Sequence, residues 1–168
     1  KAMEVMSESY ARIWDLPITG LRFFTVYGPW GRPDMAAFIF LKKIFAGEAI
    51  PVFNHGDMHR DFTYVDDIVA GVIACLQTPP SPVEGAPSHR IYNLGNNNSE
   101  PLLRFIAIIE DTVGIKAEVE LLPMQPGDVK ATCADISLAT QDLGFLPSTP
   151  IEVGLPKLIE WYRGYYGV

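Results

Sequence analysis

The 168-residue chain carries 20 acidic against 13 basic side chains, a formal charge of -7, and is 48% hydrophobic with a mean hydropathy of +0.13. That composition can close a packed core, which excludes a disordered chain, and its acidity speaks against nucleic acid or an anionic membrane as partner of the surface as a whole. Its two cysteines, Cys75 and Cys133, lack metal or redox spacing and read as buried thiols of a cytoplasmic protein, and no apolar run reaches the roughly 18 residues of a membrane span.

Met3, Met6, Tyr10, Ile13 and Trp14 recur at helical spacing, so residues 1–14 are expected as an amphipathic helix with this stripe in the core. No capping residue precedes it, which suggests the remainder of a longer helix. The apolar, β-rich run 18–26 reads as one parallel strand covered on both faces, ending at Tyr27-Gly28-Pro29. A helix over 34–45 follows, with Asp34 as cap and Gly47 as stop, then a short strand over 50–54, a strand over 60–64 and a helix over 65–76 whose start is favoured and capped by Asp66 and Asp67.

Residues 77–90 hold four prolines and read as a surface loop. A strand over 91–95, a helix from Ser99-Glu100-Pro101 to Val113 stopped by Gly114, a strand over 117–122 and a helix over 135–143 closed by Gly144 come next. Thr149-Pro150-Ile151-Glu152 fits a capping box opening a last helix to about Tyr165. Helices alternating with single strands make the class α/β with parallel strands.

In open α/β sheets ligands bind beyond the carboxyl ends of strands, which directs attention to Thr25, Tyr27, Trp30 and Arg32. Arg32 could present a planar fork to a carboxylate or phosphate, or simply pair with Asp34. Arg60 could bind an anion, or pair with Asp57 or Asp61. Asp128 could accept bonds from sugar hydroxyls or form an Asx-turn. His55, His59 and His89 offer no ligand set, and no metal site is expected.

The strings LRFFTVYGPWGRPDM (21–35), HRDFTYVDDI (59–68), YNLGN (92–96), PGDV (126–129) and LGFLPST (143–149), in this order, resemble the extended short-chain dehydrogenase/reductases that act as NAD-dependent sugar-nucleotide epimerases and dehydratases. Within that group TVYGPWGRPDM looks most like the UDP-glucuronate 4-epimerases. The resemblance implies that 1–168 is the C-terminal, substrate-binding part, a remnant of a Rossmann-like sheet plus a small domain, with the NAD fingerprint and the YxxxK catalytic pair lying before Lys1. It implies transient oxidation at C4 of a UDP-sugar by NAD in the intact protein, and a fragment that is inactive and does not bind NAD. Intact family members often pair as homodimers, so self-association of the fragment is expected.

Carried over by the same resemblance, Thr25 and Arg32 hold the glucuronate carboxylate, Arg60 grips the diphosphate with help from Asn93, and Pro51, Val52 and Phe53 line the uracil pocket. Phe23 packs near the nicotinamide, and Asp128 takes a ribose or structural role. Gln125 stands where related epimerases often carry an arginine, which leaves a second cationic clamp in doubt. The competing readings are a UDP-glucuronate decarboxylase, a sugar-nucleotide 4,6-dehydratase, and a nucleotide-sugar binder without catalysis.

Overall fold

The apolar run 18–26 forms two strands, not one, in the computed structural model, which describes residues 1–81 and 84–168. β1 (Ile18–Phe23) pairs in parallel with β5 (His89–Leu94), its ladder ending where Phe24 N donates to Leu94 O at 3.2 Å. The chain then turns on itself, Val26 N donating to Phe24 O at 2.9 Å, and β2 (Thr25–Tyr27) joins a different sheet. There it runs parallel to β4 (His59–Tyr64), whose other edge takes β6 (Ser99–Pro101) antiparallel. A third sheet pairs β3 (Ile50–Val52) with β7 (Val119–Leu121) in parallel.

The class is α/β with parallel strands, as the alternation of elements requires, but the expectation of one strand covered on both faces is corrected. Phe23, at the end of β1, is 52% exposed. An apolar run reports that both faces avoid water, and a break inside it leaves no trace in hydropathy.

The six α-helices among the described residues are α1 (Ala2–Trp14), α2 (Ala36–Ala46), α3 (Val65–Gln77), α4 (Leu102–Val113), α5 (Ser137–Leu143) and α6 (Ile151–Tyr166). Gly47, Gly114 and Gly144 close α2, α4 and α5 in the left-handed conformation, as expected. The N-termini differ from expectation. Asp34 does not cap α2, whose N-cap is Met35, because its carboxylate turns to Arg32. Asp66 and Asp67 lie in the first turn of α3 without a capping bond, and Asp67 Oδ2 instead accepts the Thr149 amide at 3.0 Å. No capping box forms at α6, since Glu152 pairs with Arg104. Ser99 to Pro101, expected as a helix start, pair with β4 as a strand. At α3, α6 and β6 a partner distant in sequence outcompetes the local one, whereas at α2 the competitor is Arg32, two residues away.

The α1 stripe is also corrected: Met3, Met6, Tyr10, Ile13 and Trp14 are between 48% and 70% exposed, and Ala11 is the buried residue of this helix. Periodicity shows that a helix has an apolar side, not what covers it. Polar contacts hold α1 to β1 and β5, through Arg22 Nη2 to Glu4 Oε2 (2.7 Å) and Ser7 Oγ to His89 Nε2 (2.9 Å). The Arg22 and Lys1 cations hold the Glu4 carboxyl at about 2, below its ordinary 4.5. A carboxylate depressed in the fold stabilises it above the unfolded value and loses that contribution as pH falls from 4.5 toward 2. Glu4→Gln is therefore expected to flatten the acid limb of the stability curve in that window, measured by urea unfolding at stepped pH, and an unchanged limb would count against the pairing.

One core packs α2, α4 and α6 against β2, β3 and β4, with Phe62 and Phe105 stacked at 3.8 Å. A second packs α3 and α5 against β5. Cys75 is buried beside this second core, but Cys133 is exposed, which corrects the expectation of two buried thiols. Within the proline-rich loop 77–90, Pro82 and Val83 lie outside the described residues. No described helix is long and apolar enough to cross a membrane.

Candidate functional site

Neighbouring residues of a strand face opposite sides, and β4 uses this to separate two charges. Arg60 points outward, its side chain 15% exposed, while Asp61 points inward and is fully buried. Arg60 Nη2 donates to Asp128 Oδ1 at 2.8 Å, and Nη1 donates to the His59 carbonyl at 2.8 Å and the Lys130 carbonyl at 3.3 Å. Its partner is thus Asp128, not Asp57 or Asp61. The Asp128 carboxylate also accepts the Val129 amide at 2.7 Å. A guanidinium held at both nitrogens on a concave wall keeps a fixed direction, as recognition of a charged group requires.

That wall belongs to a cavity of about 560 Å³ lined by Thr25, Asp34, Pro51, Phe53, Arg60 and Asp128. Its volume lies within the range of small-molecule sites, about 300–1,000 Å³. Pro51 and Phe53 reach it from alternate positions, whereas Val52 between them is fully buried in the core and is not among its lining residues. Gln125 joins the lining without a charge.

Thr25 also borders a second concave surface, shared with Phe23, Asn93 and Thr132. Asn93 donates Nδ2 to the Asp135 carbonyl at 2.9 Å, so it sits on the Phe23 side and not beside Arg60. Arg32 does not line the Arg60 cavity; it borders an apolar hollow with Phe23, Tyr27 and Trp30 and shares a narrow cleft with Thr25. The Arg32 guanidinium forks onto Asp34, Nε to Oδ1 at 3.0 Å with a second contact from Nη2 to Oδ2, and both side chains are exposed. This pairing pulls the Asp34 carboxyl below its usual range.

Inspection of the residues alone missed Asp61 as an organiser of this region. Its carboxylate accepts Thr63 Oγ1 (3.0 Å), Asn96 N (2.6 Å) and Ala134 N (2.9 Å), tying β4 to the segments after β5 and β7. The alternation along β4 was the available signal, since an outward Arg60 makes Asp61 inward.

Residues 1–95 match the profile of the NAD dependent epimerase/dehydratase family. The chain belongs to that family. It is 46% identical to UDP-glucuronate 4-epimerase 4 of Arabidopsis thaliana, over 99% of this chain and 40% of that protein. It is 44% identical to Protein CapI of Staphylococcus aureus, over 99% of this chain and 53% of that protein. Among solved structures, the UDP-glucuronic acid 4-epimerase of Bacillus cereus, in complex with UDP-glucuronic acid and NAD, superposes with a TM-score of 0.86 at 32% identity, over 97% of this chain and 50% of that one. The chain spans about half the length of the relatives it matches.

NAD finds a partial fit among these residues. The exposed Phe23 ring at the carboxyl end of a parallel strand suits a flat aromatic group. The glycine pattern GxGxxG that cradles a pyrophosphate does not occur within residues 1–168.

Proposed function

We propose that this chain provides the nucleotide-sugar-binding surfaces of a UDP-glucuronate 4-epimerase, which interconverts UDP-glucuronate and UDP-galacturonate. The observation that carries the reading is the Arg60 guanidinium, locked by Asp128 on the wall of the cavity that also holds Phe53. Arg60 grips the diphosphate, Pro51 and Phe53 flank the uracil with Val52 as the buried backing of that segment, and Asp128 keeps Arg60 in place while its free oxygen faces the ribose. Thr25 and Arg32 take the sugar carboxylate. Phe23, with Asn93 on the same surface, packs toward the nicotinamide. NAD, when bound, supplies the reversible oxidation at C4. On this reading the chain alone binds substrate without turnover, and the intact protein works as a cytoplasmic homodimer. The similarity to UDP-glucuronate 4-epimerases over nearly the whole chain supports the reading.

Arg60→Ala is expected to weaken UDP-glucuronate binding about 10- to 100-fold, because hydrogen bonds to charged groups contribute about 1.5–3 kcal/mol. Binding of uridine, which lacks the diphosphate, should change little. Calorimetry on the chain checks both, and an equal loss for uridine would overturn the assignment of Arg60 to the diphosphate. Product analysis of the intact protein with UDP-glucuronate decides the reaction: galacturonate supports the epimerase, whereas released CO2 or a dehydrated sugar sinks it.

A further inference from the structure

Arg32 and Asp34 sit two residues apart on a turn whose geometry sets their pairing in advance. Met35 N donates to the Arg32 carbonyl at 3.2 Å, with Pro33 at the second position, where its fixed φ suits a tight turn. Upstream, Trp30 holds a left-handed φ of 61° and packs on Trp161 and Tyr165 at centroid distances of 5.1 and 5.3 Å. The loop is therefore anchored at both ends, and the pair can open by rotation of side chains alone.

The two partners face different spaces. Asp34 lines the Arg60 cavity and Arg32 does not. A ligand seated on Arg60 consequently meets a carboxylate where the proposed function needs a guanidinium. We propose that Asp34 is an internal competitor for Arg32: its carboxylate fills the guanidinium fork in the free protein and yields it to the acid group of a uronic-acid nucleotide, but not to a neutral hexose. This deepens, and rests on, the reading of Arg32 as the fork for the sugar carboxylate.

The chemistry fixes the consequence. When a uronate takes the fork, one arginine–carboxylate contact replaces another, and Asp34 is released to water. Selectivity for the acid over a neutral sugar is thereby held below what a free Arg32 would give. A neutral hexose leaves the pair intact and gains nothing from a freed fork, while any repulsion between the Asp34 carboxylate and the diphosphate is common to both nucleotide sugars. Exposed ion pairs are weak, so the competition is worth about a three- to fivefold change in affinity.

The test titrates the chain and its Asp34→Asn and Arg32→Ala variants with UDP-glucuronate and UDP-glucose, and maps modification of Arg32 by phenylglyoxal in the chain and in Asp34→Asn. Asp34→Asn is expected to raise the preference for UDP-glucuronate over UDP-glucose about three- to fivefold, and the rate of Arg32 modification by a similar factor. An unchanged or lower preference for UDP-glucuronate in Asp34→Asn, or an unchanged modification rate, overturns the competitor. Arg32→Ala separates this from the parent reading: if it leaves the preference for UDP-glucuronate intact, Arg32 is not the uronate fork and the proposed function fails at that residue. If no variant binds either nucleotide sugar, the proposed function fails for this chain and the modification rate alone decides whether Asp34 shields Arg32.

Discussion

Asp61→Ala is expected to cost about 3–5 kcal/mol of folding stability, because each buried donor left without an acceptor costs about 1–3 kcal/mol and three lose theirs together. The Thr63 hydroxyl and the amides of Asn96 and Ala134 all end on this fully buried carboxylate. Little room remains for water to replace it. A side chain on Gly95 would come within 2.4 Å of Ala134 and 3.2 Å of both Asp61 oxygens, so the surroundings are already in close contact. Urea unfolding measures the loss, and domains with about 5–15 kcal/mol in total should show it as a large shift in midpoint. A change under about 1 kcal/mol would mean that solvent reaches these donors and that the network is dispensable. Asp61→Asn should also be costly, since the amide group presents hydrogens to at least one donor that now finds an oxygen.

Gly154→Ala is the second large effect, and its direction runs against helix propensity. In α6 alanine is favoured over glycine by about 1 kcal/mol. Here an added Cβ falls 2.1 Å from the Tyr27 hydroxyl and 2.8 Å from Cζ. The ring has no free side to retreat to, being packed edge-on against Phe62, Tyr64 and Phe105 at 5.7–6.4 Å. The net cost is expected at about 1–3 kcal/mol, as for other overpacked cores. Among the described residues the buried Tyr27 hydroxyl has no hydrogen-bond partner, and burial pushes its pKa up. Tyr27→Phe should thus be tolerated, and combined with Gly154→Ala it should recover part of the loss by removing the nearest contact. A double-mutant cycle in urea reads this coupling directly. Additive losses would show that α6 shifts as a body instead of pressing on the ring.

What sequence reading recovers here divides along the range of the interaction. The glycines ending α2, α4 and α5 were legible because a left-handed residue is a local demand. The helix starts were not, because Asp34, Asp67 and Glu152 find Arg32, Thr149 and Arg104, and only Arg32 is a near neighbour. At the site, Arg60 was recognisable as a lone guanidinium delivered by a turn, yet its partner Asp128 lies 68 residues away. Pro51 and Phe53 were expected along one lining segment, but only the strand's alternation reveals that Val52 turns into the core. The spacing in α1 shows an apolar stripe but carries no information on what covers it, and the stripe is exposed. Arg32 sits on the wall between cavities because the loop is set by the Trp30 stack on α6, and nothing in the spacing of residues 25 to 34 signals that contact.

The break at Phe24 gives Thr25 a position that no residue of an unbroken ribbon would have. Among the described residues it is the single one that lines both the Arg60 cavity and the Phe23 surface. On the proposed function, a molecule gripped on one side and reacting on the other would pass over this small hydroxyl, a saddle between two basins. Bulk added there would narrow the pass and both rims at once, sorting ligands by the girth of their middle as well as by the chemistry of their ends.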